Sequence, residues 1–151
     1  MNNKERTKAI LSKIQVSEDA RVKQEFEDNA KASAAAAVQK KVEAAWALLN
    51  THLNGFVQNL NADLPKDTRI FIRQGDASRT EYIDTLNLSF DQYLTSAALR
   101  RCSLTVSKTG TISVRLGNAT TNPVKNFNIS ALTATNDQIE SVVLDFLEAN
   151  I

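Results

Sequence analysis

From Ser17 onward the chain runs without a proline until Pro65 and without a glycine until Gly55. Proline breaks helices because it lacks a backbone N–H and clashes with the turn before it, and glycine because its free backbone loses the most entropy on ordering. A stretch this long without either is constrained toward a single helix. Its composition agrees: Ala32, Ala34, Ala35, Ala36 and Ala37 lose almost no side-chain freedom in a helix. Ser17 followed by Glu18 and Asp19 reads as a start, with a hydroxyl to cap free N–H groups and two acids at the positive end of the dipole. The approach to Pro65 reads as the end, because the residue before a proline disfavours helical geometry. The expectation is one helix from roughly Ser17 to Asn61.

The two halves of that helix differ. Val42, Trp46, Leu49, Leu53, Phe56 and Leu60 recur at alternating steps of four and three residues. That spacing holds an apolar seam on one face, of the kind that pairs helices in a coiled coil. Val38 extends it backward, while Leu48 and Val57 are expected to widen it into a core-facing stripe. Between Arg21 and Lys31 charges dominate, and Val22 and Phe26 are the clear apolar residues. A helix of about forty-five residues spans roughly 65 Å. A domain of this size measures about half that across. Its first part, 17–37, is therefore expected to project, to bend, or to pack on another chain. A break near Asn29 to Ser33 would instead give two helices folded back on each other, and Gly55 is either a tolerated interior residue or a kink. Residues 1–16 read as a charged leader, disordered or forming a short helix through Ile10, Leu11 and Ile14.

Beyond Pro65 the period changes from helical to two. Ile70 and Ile72 alternate with Arg69, Phe71 and Arg73, and Gly75 to Ser78 reads as a turn. Tyr82 to Phe90 reads as a second strand, and Asp91 to Ala98 as a loop or helical turn. Leu99 to Ser107 and Thr111 to Leu116 alternate about the turn Lys108-Thr109-Gly110, the clearest hairpin signal in the chain. Val124 to Ile129 is expected to add an edge strand. Thr135-Asn136-Asp137-Gln138 fits a capping box, followed by an apolar face of Ile139, Val142, Val143, Phe146 and Leu147. The implied fold is α+β: a long N-terminal amphipathic helix, an antiparallel meander of four or five strands, and a C-terminal helix packed on the same sheet face. The expected organisation is a leader, 1–16, and one domain, 17–151.

Composition excludes several function classes. With 42% apolar and 23% charged residues, the chain has the balance of a globular protein. No run approaches the ~18 apolar residues of a membrane span. Cys102 is the single cysteine, and the first residues are charged rather than apolar, so a cytoplasmic location is expected. Net charge is +1, but it is unevenly spread. The middle third, from Lys66 to Lys125, is basic by about four charges, whereas the tail from Ala131 carries only acids.

The residues that carry chemistry are few. His52 is the only histidine, on the flank of the seam, and Cys102 falls on the inward side of its strand. The pair Asp84 and Asp91 would serve acid–base work only if folding joined them. The glycines are isolated, so no phosphate-binding loop is present, and no metal, cofactor or small-molecule site is expected.

Binding is the more natural expectation. The first candidate is a non-enzymatic protein-interaction module that self-associates as a homo-oligomer through the long helix, or acts as a small adaptor or inhibitor of a larger complex. Its contact residues would be Val22, Phe26, Val38, Val42, Trp46 and Leu49. The alternative is a nucleic-acid-binding or acidic-partner surface on the outer face of the sheet, formed by Arg69, Phe71, Arg73, Arg101 and Arg115. Basic groups beside an aromatic can track a phosphate backbone and stack a base.

Overall fold

The structure, a computed structural model, describes residues 2–75, 80–90 and 100–151. Most of the turn expected at Gly75 to Ser78, the segment Asp91 to Ala98 and the start of the strand at Leu99 lie outside the described residues. The chain divides into two compact units, Met1–Ala37 and Val38–Ile151.

A helix, α1, runs from Asn3 to Asp63, 61 residues, and contributes to both units. It starts well before Ser17, which is an interior residue and not a cap. The cap is Asn2, whose Oδ1 accepts the Glu5 backbone N–H at 2.8 Å. The Asn2 backbone N–H in turn donates to Glu5 Oε2 at 3.4 Å. A serine followed by two acids starts a helix only where the preceding residues resist helical geometry. Residues 3–16 contain neither proline nor glycine, so nothing stops the helix from extending back through them. No break occurs at Asn29 to Ser33. In the first unit every described residue is exposed. Polar side chains bridge successive turns there: Gln15 to Asp19, Arg21 to Glu18 and Glu25, and Gln24 to Asp28. Such pairs each add a few tenths of a kcal/mol to a solvated helix.

The second unit holds the core. After a short 3₁₀ turn at Lys66–Thr68 come β1 (Phe71–Gln74), β2 (Tyr82–Ser89), β3 (Arg101–Ser107), β4 (Thr111–Leu116) and β5 (Lys125–Ser130), then α2 (Asn136–Glu148). The five strands pair antiparallel in sequence order, a simple meander. Register sets Leu86, Leu104 and Val114 across from one another in turn, and likewise Leu88, Cys102 and Leu116. These side chains, with Val106 and Ile112, form the apolar inner face. Val42, Trp46, Leu49, Leu53 and Val57 of α1 and Ile139, Val142, Val143, Phe146 and Leu147 of α2 complete the same core. Phe56 and Leu60 are partly buried against it.

Two seam assignments change. Leu48 is 76% exposed and lies outside the stripe, and Val38 is 39% exposed and so stands at its margin. Leu48 is one residue before the buried Leu49, about 100° round the helix, too far to share a stripe already filled by Trp46, Leu49 and Leu53.

Three anchors fix the elements. Asn61, near the end of α1, accepts the Ile70 N–H and donates to the Ile70 carbonyl, both at 2.8 Å. Thr135 and Gln138 close the capping box of α2. Gly110 closes the β3–β4 hairpin at φ 103°, and a side chain there would also meet Val42 of α1 at 3.2 Å. Gly55, by contrast, sits mid-helix, where a methyl side chain would meet nothing within 4 Å among the described residues. Gly55→Ala is therefore expected to stabilise the second unit by about 0.5–1 kcal/mol. Urea unfolding followed by Trp46 fluorescence checks it, and a loss of stability would show that the helix needs glycine there.

Candidate interaction surfaces

Strand alternation separates two faces, and the outer one is strongly polar. A cross-strand row joins Arg73, Asn87, Ser103, Arg115 and Asn126, and a second joins Thr85, Thr105, Ser113 and Asn128. Phe71, Ser89 and Arg101 form a third. Among the described strand residues no carboxylate lies on this face. Asp84 stands opposite the buried Val106 and belongs to the inner face. Of the five sequence-predicted residues, Phe71, Arg73, Arg101 and Arg115 thus share the outer face. Arg69 precedes β1 and lies outside the ladder.

A concavity of about 950 Å³ lies on this side, and its lining includes Arg101, Arg115, Ser103, Thr105 and Asn128. Phe71 and Arg73 are not part of that lining, because β1 is the far edge strand. Ser103 donates to Asn87 Oδ1 at 2.8 Å. The guanidinium groups of Arg101 and Arg115 make no hydrogen bond or ion pair among the described residues. The concavity therefore gathers hydroxyls, amides and these two guanidinium groups beside Val114 and Phe127.

The second candidate surface is the first unit. Ile10, Leu11, Ile14, Val16, Val22 and Phe26 are each more than half exposed, Phe26 at 74%. Of the other residues assigned to an interaction, Val42, Trp46 and Leu49 are buried in the core of the second unit. Their side chains pack in that core.

The reactive side chains are committed elsewhere. Cys102 is fully buried, and burial, with a smaller contribution from the Asp145 carboxylate, pushes its thiol up to about 12. It is protonated at any physiological pH. His52 stands 3.4 Å from Glu140 Oε2 without making a hydrogen bond, and this contact joins α1 to α2. Among the described residues no group of three or more His, Cys, Asp or Glu side chains is placed to hold a metal ion. No helix among them is long and apolar enough to cross a membrane.

Asp84 has a role that alternation alone could have revealed, since it is in phase with Leu86 and Leu88. It is 7% exposed, and its Oδ2 accepts the Trp46 indole N–H at 2.6 Å. Its Oδ1 accepts from Gln74 Nε2 at 2.7 Å and from the Thr85 N–H at 2.8 Å. The strand's register shift falls before it, between Tyr82 and Asp84, so Asp84 stays in phase with Leu86 and Leu88.

The chain matches no family model, no curated protein and no solved structure.

Proposed function

We propose that this protein is a non-enzymatic interaction module that self-associates through the first unit of its long helix. The observation that carries the reading is a helical stretch with no buried residue that still carries six large apolar side chains. Helices in water draw most of their stability from packing an apolar face, and one left uncovered calls for a partner. The run Ala32 to Ala37 supports close helix–helix approach. A single cysteine, buried and so without a disulfide partner in the chain, supports a cytoplasmic setting.

Sedimentation equilibrium of the full chain tests the reading. A concentration-dependent dimer or higher oligomer is expected. The double substitution Val22→Asp, Phe26→Asp should weaken it by about tenfold or more, at roughly 1.4 kcal/mol per decade. The melting of the second unit should not change, because neither residue is buried in its core. A strict monomer at high micromolar concentration would end the self-association reading.

One specific arrangement favours a second reading, nucleic-acid binding: Arg73, Arg101 and Arg115 share the outer face of the sheet with Phe71, and no described strand residue there is a carboxylate. Phosphate contacts are strongest at low salt. Titration with single- and double-stranded oligonucleotides across a salt series checks it, and no binding at ~50 mM salt removes it.

A further inference from the structure

A sheet edge carries unpaired backbone groups, and proteins usually shield them with short strands, proline, charge or a bulge. Here β1 is four residues long, whereas β5, at the other edge, has six, Lys125–Ser130. No proline interrupts β5, and its register with β4 is unbroken from Thr111↔Ser130 to Leu116↔Lys125. The Ala131 N–H continues this register by donating to the Gly110 carbonyl at 2.7 Å. Antiparallel ladders bond through alternate residues. The backbone groups of Ile129 and Phe127 are therefore turned to β4, and those of Ser130, Asn128 and Asn126 to the free edge.

That edge is also a wall of a groove. A cleft of about 320 Å³ runs between β5 and α2, lined by Phe127, Ile129, Gln138, Ser141, Val142 and Asp145 among others. Phe127 and Ile129 are only partly buried, on the side of the sheet that α2 covers. Lys125 donates to Asp145 at 3.2 Å and joins strand to helix at one end. The helix is acidic throughout: Asp137, Glu140, Asp145 and Glu148, with no lysine or arginine. Helical spacing sets Asp137, Leu144 and Glu148 on the exposed stripe next to the groove-lining positions, and Leu144 is 43% exposed.

We propose that the β5 edge and the flank of α2 accept an extended basic peptide segment of a partner protein, which pairs with β5 as a sixth strand. The backbone groups of Asn126, Asn128 and Ser130 supply its main-chain hydrogen bonds. Its alternate side chains fall over Phe127 and Ile129, where an apolar stem is covered, and basic head groups reach Asp137 and Glu148 of α2. The charge of α2 decides the sign of the partner. The same charge opposes a second copy in this position, because pairing two β5 edges would bring two acidic helices together.

The probe is a fluorescent peptide in which threonine alternates with valine and lysine, titrated against the full chain. A second peptide has glutamate in place of lysine. Saturable binding is expected, with amide chemical-shift changes concentrated on Lys125–Ser130 and α2. Asn128→Pro removes an edge-facing donor, and Ser141→Trp fills the groove from an exposed helix position. Each should weaken binding at least tenfold without a change in melting temperature, and the glutamate peptide should bind at least tenfold more weakly. The proposal is overturned by absent binding, by binding that neither variant weakens, by equal affinity for the glutamate peptide, or by a dimer that Asn128→Pro dissociates. If Asn128→Pro does not fold, Ser141→Trp and the shift map decide.

Discussion

Phe146→Ala is expected to destabilise the second unit by about 3–5 kcal/mol, the usual cost of removing a fully buried aromatic ring. Phe146 has no exposed surface, and its ring stacks on Phe90 with centroids 4.8 Å apart and planes 17° from parallel. The Arg100 guanidinium lies over the Phe90 ring at 4.6 Å and donates to the Asn150 side chain and carbonyl at 3.2 Å. Asn150 closes the circuit by donating to the carbonyls of Gly117 and Phe146, both at 2.9 Å. One ring thus supports the end of β2, the start of β3 and the C-terminus of α2. Domains of this size have total stabilities of about 5–15 kcal/mol, so this loss is a large part of the whole. The melting temperature should fall by roughly 10–25 °C, read by Trp46 fluorescence. Phe146→Leu keeps most of the volume and should cost less than half as much. A loss under ~1 kcal/mol for the alanine variant would contradict the burial of this ring.

Period and punctuation made most of this fold legible. The steps of three and four from Val42 to Leu60 placed α1 on the core, and alternation about Lys108-Thr109-Gly110 gave the β3–β4 hairpin. Thr135 to Gln138 announced the start of α2. The N-terminus of α1 was misplaced because a cap sequence is permissive: Ser17, Glu18 and Asp19 suit a helix start and suit a solvated helix interior almost as well. Leu48 was misplaced because apolar character does not report angle, and its neighbour Leu49 already fills the stripe. On the outer face, alternation gives Phe71, Arg73, Arg101 and Arg115 one parity, and the structure adds the register that spreads them over three strands, β1, β3 and β4. Arg69 shares their parity in sequence but precedes the ladder, a difference that depends on where the 3₁₀ turn ends. The groove beside β5 was not legible, since it depends on the distance between an edge strand and a helix with no shared sequence signal.

Asp84→Ala is expected to cost about 2–4 kcal/mol, although the residue is small and has no cation as partner among the described residues. Its carboxylate receives three donors, from Trp46, Gln74 and the Thr85 backbone, and all three are neutral. Hydrogen bonds to a charged group contribute more than neutral ones, and stranding buried donors costs about 1–3 kcal/mol on top. Asp84→Asn separates the two oxygens. With its oxygen toward Gln74 and Thr85, the new amide sets an NH₂ group against the Trp46 indole N–H, donor against donor; the reverse orientation opposes Gln74 and Thr85 instead. The asparagine variant should therefore recover little of the loss. Trp46→Phe removes one donor and leaves the other two in place, so it should be milder than Asp84→Ala, and the double variant should fall short of the sum of the singles. Thermal unfolding of the four proteins by differential scanning calorimetry measures that coupling. Additive losses would mean that the indole and the carboxylate do not act on each other across the α1–β2 contact. Because Val22 and Phe26 are far from this pair in sequence and exposed, the same variants should leave self-association unchanged at temperatures where the second unit stays folded. A dimer that dissociates with Asp84→Ala under native conditions would instead place the self-association surface in the second unit.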